Sequence, residues 1–377
     1  MKIALIAGSK IPSRTANSIQ TIKMAQAFVE RGHDIMVYVP GVSPDHSWEK
    51  IAEHYGVHTQ IDIRWLQTIS RLRSYDFGIR AVHQGLHWGA NLLYTRLPQA
   101  AAYASWRGFP TIFEVHDMPS GRFGPRLMRA YLRGRGARRL VTITRALADD
   151  ISSVYTVPSL FGFSLVAPDG VDLDRYRDLP SPRKARMALG MGEKFTVGYS
   201  GHLYPGRGID LILRVAARLP EFNFMIVGGE PKDVAQLKQK VKEVGLKNIL
   251  VFGFVSNEKL PGYQAACDAL LMPYQAHVSA SSGGDIARYL SPMKMFEYLA
   301  CGRAILASDL PVLQEALISG ENALILPSAD ANAWVRALKK LSADPDYKVR
   351  LGDNARAAAK KYTWTSRVER ILAQLAA

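Results

Sequence analysis

The sequence predicts an α/β protein built from two doubly wound parallel sheets. Short apolar runs alternate with helical patterns in two separate series along the chain, which is the pattern of parallel β-α-β units. Between the two series, residues 166–194 are rich in Pro, Gly and Asp, and this composition predicts a domain boundary. A length of 377 residues is sufficient for two such domains.

The first series begins with the apolar run IALIA at 3–7, followed by a loop to Asn17 and a helix that ends at Gly32. The run IMVYV at 35–39 then completes a strand-helix-strand unit of the size that a parallel pair requires. Later strands of this series are predicted at LLYT (92–95), TIFEV (111–115), LVTIT (140–144) and SLVA (164–167). We therefore predict a first domain over residues 1–180.

The second series defines a domain over residues 190–362. Its strands are predicted at FTVGYS (195–200), FMIVG (224–228), ILVFG (249–253), ALLMP (269–273), AILAS (from 304) and ALIL (323–326). The amphipathic segment at about 363–377 is expected to form a helix that packs back on the first domain. Because parallel sheets bind ligands at the carboxyl ends of their strands, we expect the two domains to face each other across a ligand cleft.

Composition restricts the partners and the compartment. A net charge of +15 points to an anionic partner, namely nucleic acid, an acidic membrane surface or a phosphorylated substrate, and does not choose among them. Cys267 and Cys301 lie in apolar helical patterns without disulfide or metal-ligand spacing, which favours a reducing compartment. No apolar run is long enough for a transmembrane helix, so we expect a soluble cytoplasmic protein.

Two common nucleotide-binding motifs are missing. A dinucleotide-binding dehydrogenase requires G-x-G-x-x-G after the first strand, where this chain has GSKIPS. No G-x-x-x-x-G-K-[ST] occurs, which disfavours a P-loop nucleotidase. The pair Asp172 and Asp174 in GVDLDRY is better explained as a turn at the domain boundary than as a metal site.

The stretch SGHLYPGRGIDLIL (200–213) predicts a phosphate-binding loop between a strand and a helix. Gly206 and Gly208 would let backbone amides approach a ligand, and Arg207 would contact two phosphate oxygens. The alternative is a structural loop with a solvated arginine.

The stretch SPMKMFEYLACG (291–302) predicts a helix that carries polar groups on one face of an otherwise apolar pattern. Ser291 fits the N-cap, Pro292 the first helical position, and Gly302 the left-handed end. Lys294 and Glu297 share one side, where Lys294 would contact a phosphate and Glu297 the vicinal hydroxyls of a ribose. The preceding Gly/Ser-rich segment 279–289 is expected to close over a ligand.

His116 directly follows the buried strand TIFEV. A single histidine is usually structural, but the carboxyl end of a strand is where α/β sheets place their chemistry. We therefore include His116 among the candidate site residues.

The chain resembles the retaining GT-B glycosyltransferases of family 4, also called group 1 glycosyltransferases. Four segments carry the resemblance, which covers nearly the whole sequence: VAPDGVDLDRY, GHLYPGRGIDLIL, FGFVSNEKLPGYQAACDALLMPY and SPMKMFEYLACGRAILASDLPVLQE. The resemblance implies two Rossmann-like domains, the C-terminal one holding a sugar nucleotide and the N-terminal one an acceptor. It also implies retention of anomeric configuration. Arg207, Lys294 and two helix N-termini would supply the positive charge for the leaving group without a metal ion.

The family pattern assigns roles to matching positions. Arg207 stands where a basic residue contacts the diphosphate, Glu297 where a carboxylate holds the ribose, and His116 where a histidine lies near the donor sugar. The backbone around Val255 would receive the nucleobase, and that around Asn17 would approach the diphosphate. The helix start at Ser291, Pro292 and Met293 completes the expected donor contacts.

Two positions depart from the family pattern. The first carboxylate of the E-x7-E signature is replaced by Tyr289, and an arginine that often precedes the phosphate loop is replaced by His202. The S-P-x-K form of the helix start resembles that of a subset of the family, in which Lys294 would take up part of the phosphate or sugar contact. The sugar therefore stays open, with UDP or GDP as the expected carrier and no cofactor.

The predicted catalytic groups are His116, Arg207 and Lys294, which act on departure of the nucleoside diphosphate. An acceptor that is a glycan or is lipid-linked would explain the positive charge, through contact with the anionic inner face of the cytoplasmic membrane. The residues expected at the membrane or acceptor are Trp65, Arg122, Arg126, Arg129 and Arg133. A solvated helix face is the alternative explanation of these arginines.

The rival functions are a GT-B-fold sugar-nucleotide 2-epimerase and a basic nucleic-acid-binding protein. The epimerase would need an acid/base set that the sequence does not reveal. The chain has no recognisable nucleic-acid module, so we expect no nucleic-acid partner.

Overall fold

The computed structural model describes residues 1–44, 47–72, 74–159, 162–280 and 283–375. The chain divides into two compact units. The first unit comprises residues 1–169 and 364–377, and the second comprises residues 170–363. Ser281 and Ser282 of the predicted ligand-closing segment lie outside the described residues.

The first unit is built on a seven-stranded parallel sheet in the order β3-β2-β1-β4-β5-β6-β7. Its strands are Lys2–Ile6 (β1), Asp34–Pro40 (β2), Asp62–Leu66 (β3), Leu92–Thr95 (β4), Thr111–Val115 (β5), Ala137–Thr142 (β6) and Ser164–Val166 (β7). The helices between them are Ala16–Glu30 (α1), Trp48–Tyr55 (α2), Tyr75–His87 (α3), Pro98–Trp106 (α4), Gly124–Arg133 (α5) and Arg145–Val154 (α6), with a 3-10 turn at Ser70–Leu72.

The second unit is built on a six-stranded parallel sheet in the order β10-β9-β8-β11-β12-β13. Its strands are Thr196–Ser200 (β8), Asn223–Val227 (β9), Ile249–Gly253 (β10), Ala269–Met272 (β11), Ala304–Ser308 (β12) and Leu324–Leu326 (β13). Its helices are Pro182–Ala188 (α7), Ile209–Ala216 (α8), Pro231–Glu243 (α9), Leu260–Ala265 (α10), Met293–Cys301 (α11), Ala331–Ala343 (α12) and Pro345–Ala359 (α13). Leu173–Tyr176 and Leu313–Glu315 form 3-10 turns.

The terminal helix Trp364–Leu372 (α14) belongs to the first unit, although it follows the second in sequence. The guanidinium group of Arg139 holds its end: Nη1 donates to the carbonyl of Ile371 at 2.5 Å, and Nη2 donates to that of Ala373 at 2.7 Å. Carbonyls in the last turn of a helix lack intrahelical partners, so this arginine acts as the C-terminal cap. Arg139 is therefore a structural residue and not part of the exposed basic surface.

The unit boundary and the start of one strand differ from the predictions, and one strand was not predicted. The first unit ends at Asp169 rather than at 180, and the elements Leu173–Tyr176 and Pro182–Ala188 belong to the second. Strand β3 was not predicted, because DIRWL has charged side chains that break the apolar run. Strand β6 begins at Ala137 rather than at 140, because the buried Arg139 interrupts its apolar pattern.

Each sheet is buried between its own helices. The strands β1, β4 and β5 have buried residues on both faces, as expected for a parallel sheet that helices cover on two sides. Tyr38 and Phe77 pack with Leu93 on one face of the first sheet. Among the described residues, no helix is long and apolar enough to span a membrane.

Candidate functional site

The loop between β8 and α8 is held against the segment that follows β11. The backbone N–H of Gln275 donates to the carbonyl of Gly206 at 2.9 Å, and the backbone N–H of Ser279 donates to the carbonyl of Pro205 at 3.1 Å. The carboxyl ends of two neighbouring strands are thereby joined at one edge of the second sheet. Arg207 lies in this loop, as the sequence predicts for a phosphate-binding position.

The two glycines of the loop serve the backbone of the protein. Gly206 and Gly208 have φ angles of 81° and 82°, in the left-handed region that favours glycine. A Cβ atom would lie 1.9 Å from the carbonyl oxygen of His277 at Gly206, and 1.8 Å from that of Pro273 at Gly208. The predicted approach of a ligand is therefore not needed to explain the glycines, because the chain itself occupies that space.

Arg207 and Lys294 lie beside the same tyrosine ring. The guanidinium carbon of Arg207 is 5.3 Å from the ring centroid of Tyr274, and the Nζ of Lys294 is 5.5 Å from it. The Nζ of Lys294 also lies 3.8 Å from the ring centroid of Tyr199. The structure thus brings together two of the predicted catalytic cations.

Within the residues that the structure describes, Lys294 has no acceptor for its ammonium protons. Its Nζ is shielded from solvent and has no hydrogen-bond partner within the described part of the chain. Burial lowers the pKa of this amine well below its usual value, and the charge of Arg207 lowers it further. An anion in contact with Nζ would reverse both effects, because it would supply the missing acceptor and the opposite charge.

Glu297 lies one turn after Lys294 and takes part in a buried polar network. Its Oε2 accepts a hydrogen bond from Gln264 at 3.3 Å, and Gln264 in turn donates to the hydroxyl of Ser200 at 3.2 Å. The hydroxyl of Tyr176 donates to Gln264 at 2.8 Å. The network fixes the carboxylate relative to the end of β8.

The helix that carries Lys294 begins later than predicted. Pro292 occupies the cap position in an extended conformation, and α11 starts at Met293. Ser291 is buried just outside the helix, so the prediction that it is the N-cap is wrong. Pro292 occupies the N-cap position because a proline, which has no N–H group, fits the start of a helix. Gly302 ends the helix at φ 65°, as predicted.

The other predicted donor positions are loop residues or a helix start. Val255 is half-buried, follows β10 and packs against the apolar core of the second unit. Asn17 lies in the first turn of α1 rather than in the preceding loop, because Thr15 is the N-cap and accepts the amide of Ser18 at 3.3 Å. Amides in a first helical turn lack intrahelical acceptors, so the anion contact at Asn17 stays a prediction that this position allows.

In the first unit, His116 is paired with a buried carboxylate. The Nε2 of His116 lies 2.5 Å from Oε1 of Glu114, which is fully buried in β5. The same oxygen accepts a hydrogen bond from Gln20 at 2.7 Å. The other oxygen, Oε2, lies 2.9 Å from Nη2 of Arg367 in α14.

The charges of this cluster set its protonation. Burial raises the pKa of Glu114, but the charge of Arg367 and the hydrogen bond from His116 outweigh this effect and hold it below its usual value. Burial and the charge of Arg96 lower the pKa of His116 to about 4. Burial raises the pKa of Asp169 to about 7, an effect that Arg367 opposes. At neutral pH the cluster therefore contains an ionised Glu114 and a neutral His116.

A metal ion fits this cluster less well than the arginines do. Single ligand atoms of Glu114, His116 and Asp169 lie within 4.8 Å of one another, which is close enough to hold a cation. Arg367 already contacts Oε2 of Glu114, and its positive charge and that of Arg96 act on the same groups. These guanidinium groups would repel a divalent cation, so we do not identify a metal site here.

The comparisons with known proteins decide the family. Residues 183–358 match the family description "Glycosyl transferases group 1", and residues 18–175 match "Glycosyltransferase Family 4". The chain belongs to the group 1 glycosyltransferases.

Two characterised relatives resemble this group 1 glycosyltransferase. A D-inositol 3-phosphate glycosyltransferase from Xylanimonas cellulosilytica is 28% identical over 60% of this chain and 53% of that protein. A GDP-mannose-dependent alpha-(1-6)-phosphatidylinositol monomannoside mannosyltransferase from Mycolicibacterium smegmatis is 26% identical over 68% of this chain and 76% of that protein. The chain therefore spans about half the length of the first relative.

The fold of this group 1 glycosyltransferase is GT-B. The structure of Anabaena Alr3699/HepE in complex with UDP and glucose superposes with a TM-score of 0.75 and 19% identity, over 100% of both chains. The predicted fold class is thus confirmed for the two sheets and their helices.

The basic surface of this glycosyltransferase lies on helix α5, whose apolar side packs into the first unit. Met128 and Tyr131 of α5 are buried in the first unit. The four predicted arginines are exposed on that helix and just before it: Arg122, Arg126, Arg129 and Arg133. Trp65 is half-buried in β3, and its indole N–H donates to the carbonyl of Ile11 at 2.9 Å. This hydrogen bond ties Trp65 to its own unit, which weakens the prediction that it contacts a membrane.

The sequence reasoning missed Glu114 and Arg367. Glu114 was treated as part of the apolar strand TIFEV. Glu114 lies two residues before His116, and side chains two residues apart in an extended segment point to the same face of the sheet. A carboxylate within a buried strand is rare enough to be a usable signal. Arg367 leaves no comparable signal, because its partner lies far away in the sequence.

Proposed function

We propose that this chain is a retaining glycosyltransferase that moves a sugar from a nucleoside-diphosphate sugar to a glycan or lipid-linked acceptor. The observation that carries the proposal is the pair of cations Arg207 and Lys294, which form no ion pair within the described residues and share the ring of Tyr274. Such an arrangement favours a ligand with two adjacent negative charges.

The proposed chemistry depends on stabilising the leaving group. When the sugar leaves, charge builds on the diphosphate, and donors that are already in place lower the barrier for that step. Arg207 and Lys294 supply this charge, so the reaction needs no metal ion and no cofactor. The departing phosphate then helps to deprotonate the acceptor on the same face, which gives retention.

Glu297 is proposed to accept hydrogen bonds from the two ribose hydroxyls. Its position within the Gln264 network gives it a fixed geometry for this contact. The nucleotide is proposed to be UDP or GDP, in line with the GDP-mannose that names one relative and the UDP present in the HepE complex.

Calorimetric titration of the protein with UDP and with GDP, in EDTA, tests the donor site. We expect one nucleotide to bind, and Glu297→Ala to weaken it roughly 10-fold or more through the lost hydrogen bonds to ribose. Glu221→Ala, at an exposed position of the same unit, is the matched control and should bind like the wild type. Equal affinity in Glu297→Ala and wild type would remove Glu297 from the site.

Product analysis tests the reaction. Incubation of the matching sugar nucleotide with membrane lipid extract should yield a glycosylated lipid whose anomeric configuration, read by NMR, equals that of the donor. Conversion of the bare sugar nucleotide to its epimer without an acceptor would contradict transfer.

We propose further that the enzyme acts at an anionic membrane surface on the cytoplasmic side, in the assembly of a bacterial surface polysaccharide or glycolipid. Exposed apolar side chains lie next to the arginines of α5: Phe123 is 49% exposed and its ring contacts Tyr75 at the start of α3. Ile69 and Leu72, which precede α3, are 57% and 47% exposed. Basic and apolar groups together favour the surface of an anionic bilayer.

Vesicle sedimentation tests the membrane contact. We expect the protein to pellet with vesicles of anionic lipid at low salt and not with neutral vesicles. A variant with Arg122, Arg126, Arg129 and Arg133 changed to Gln should lose most of this binding, because each basic group near the surface contributes about 1 kcal/mol. Equal pelleting of this variant and the wild type would exclude the surface.

A further inference from the structure

The hydrogen-bonding pattern around Glu114 leaves only one way to place the proton of His116. An ionised carboxylate accepts hydrogen bonds and cannot donate them. Its Oε1 lies 2.5 Å from Nε2 of His116, so the neutral imidazole must carry its proton on Nε2. The Nδ1 atom is then left without a proton and acts as an acceptor.

Two side chains besides His116, Gln20 and Arg367, keep Glu114 ionised and fixed. Gln20 donates to Oε1 at 2.7 Å, and Nη2 of Arg367 lies 2.9 Å from Oε2. Arg367 is itself held, because its Nε donates to the carbonyl of Pro168 at 2.9 Å and its Nη2 donates to that of Ala167 at 3.0 Å. The carboxylate therefore has little freedom to rotate away from His116.

The remaining charged groups near His116 also favour its neutral form. Arg96 and Arg367 both act electrostatically against a proton on the second nitrogen, and Glu114 acts in favour of it. Burial disfavours the charged ring as well, so the pKa of His116 is lowered to about 4. Asp169, whose charge interacts with those of Glu114 and the two arginines, completes the set of ionisable groups in the cluster.

We propose that Glu114 is a positioning residue that holds His116 in the Nε2-protonated tautomer, so that Nδ1 accepts a hydrogen bond from a sugar hydroxyl. This inference rests on the proposed function for the identity of the ligand. It assigns His116 the part of a neutral acceptor rather than that of a cation facing the diphosphate. The buried carboxylate, with no contact to substrate, determines which ring nitrogen is available.

The isosteric substitution Glu114→Gln reverses the tautomer. Arg367 and Gln20 both present N–H groups, but Arg367 is charged and Gln20 is neutral, so the amide oxygen of the new side chain turns toward Arg367. The amide NH2 group then faces Nε2 of His116, which has to accept instead of donate. The proton moves to Nδ1, which therefore changes from an acceptor for the sugar hydroxyl into a donor. A wrong tautomer of this kind is a known cause of lost activity in carboxylate–histidine pairs.

The test combines nitrogen NMR of the free protein with transfer kinetics. The wild type and His116→Asn are both labelled with 15N-histidine, and the signals that the variant lacks are assigned to His116. In the wild type these signals should show a protonated Nε2 and an unprotonated Nδ1, and they should not change between pH 6 and 8. Glu114→Gln should show the opposite pattern and lower kcat roughly 10- to 100-fold, with a smaller change in KM for the donor. Gln20→Met is the matched control: it removes one donor to Glu114 and should keep the wild-type tautomer.

A protonated Nδ1 or a mixture of tautomers in the wild type would overturn the inference, even if Glu114→Gln failed to fold. Reversal of the tautomer without loss of kcat would overturn the role of Nδ1. Loss of kcat in Glu114→Gln with an unreversed tautomer would mean that the carboxylate acts in another way, and would also overturn it. If the tautomers behave as expected but the wild type transfers no sugar, the proposed function fails and the assignment of the proton stands.

Discussion

The shielded ammonium group of Lys294 makes the substitution Lys294→Met a sharp test of the anion site. Methionine has similar length and no branch, so it can occupy the space between the rings of Tyr199 and Tyr274 without a charge. We expect the free protein to become more stable and to lose affinity for the nucleotide. These opposite effects follow from one feature, namely a cation without an acceptor among the described residues.

The size of the stabilisation can be estimated from the contacts. Replacing buried charged groups by apolar side chains of similar volume is neutral or stabilising by about 1–4 kcal/mol. The Nζ of Lys294 lies 3.8 Å from the ring centroid of Tyr199, and this cation–π contact stabilises the folded wild type by about 1–2 kcal/mol, which the variant loses. Taking the midpoints of these two ranges, about 2.5 and about 1.5 kcal/mol, we expect a gain of about 1 kcal/mol, which raises the Tm of the second unit by roughly 2–4 °C.

The gain should depend on pH. Because the pKa of Lys294 is lowered in the folded state, the unfolded chain binds more protons below the usual lysine pKa. The stability of the wild type therefore rises with pH in that range, and Lys294→Met lacks this contribution. The difference in Tm between the two proteins should be larger at pH 6.5 than at pH 9.

Differential scanning calorimetry and nucleotide titration provide the measurements. The same charge that lowers stability supplies a contact to phosphate, so affinity should fall roughly 10- to 100-fold in Lys294→Met. Lys238→Met, at an exposed position of α9, should change stability by less than about 0.5 kcal/mol and leave affinity unchanged. A Lys294→Met protein that is less stable than wild type, or that binds nucleotide equally well, would refute the reasoning.

Three further predictions concern single residues. Asp169→Asn should stabilise the first unit by roughly 3 kcal/mol more at pH 8.5 than at pH 5, because burial raises the pKa of Asp169 to about 7 and stability is lost as pH rises through that value. A calorimetric difference independent of pH would contradict this. Gly208→Ala should cost about 3 kcal/mol or more in thermal unfolding, since its Cβ would lie 1.8 Å from the carbonyl oxygen of Pro273. Gly190→Ala, where φ is 67° with open space around the position, should cost only about 1–2 kcal/mol. Arg139→Met should destabilise the first unit by about 2–4 kcal/mol, because it removes the carbonyl contacts that cap α14; an unchanged unfolding temperature would show that the cap is dispensable.

The fold was largely predictable because buried parallel strands are apolar on both faces. Strand β5 was predicted with the bounds that it has, and β10 likewise. The error at the start of β6 has a specific cause, which is a charged residue with a partner that the sequence does not reveal. Arg139 interrupts the apolar pattern of β6, and its hydrogen bonds to the end of α14 and to the carbonyl of Gly162 explain its burial.

The candidate site was predictable where one segment contains the whole signal. Lys294 and Glu297 share a helix face, so helical spacing is enough to pair them. Gly206 is required by close approach of the backbone of the same chain, whereas the prediction from the sequence was close approach of a ligand. Both causes leave the same signal in the sequence, namely a glycine. The network around Glu114 required tertiary contacts that join α1, β5 and α14, and no local pattern encodes these.

The two units handle positive charge in opposite ways, and this difference supports a division of labour. In the first unit Arg367 faces the carboxylate of Glu114, so the cluster can present a neutral imidazole to a neutral hydroxyl group. In the second unit Arg207 and Lys294 face the tyrosine rings, of which Tyr274 is shared. A ring face stabilises the Lys294 cation without competing for its protons as a carboxylate would. Arg207 donates from Nη1 to the hydroxyl of Tyr274 and from Nη2 to the carbonyl of Ser279, both at 3.3 Å, and a guanidinium with five N–H groups keeps further donors for phosphate oxygens. The net charge of +15 could not reveal this, since what determines ligand chemistry is the partner of each cation and not the number of cations.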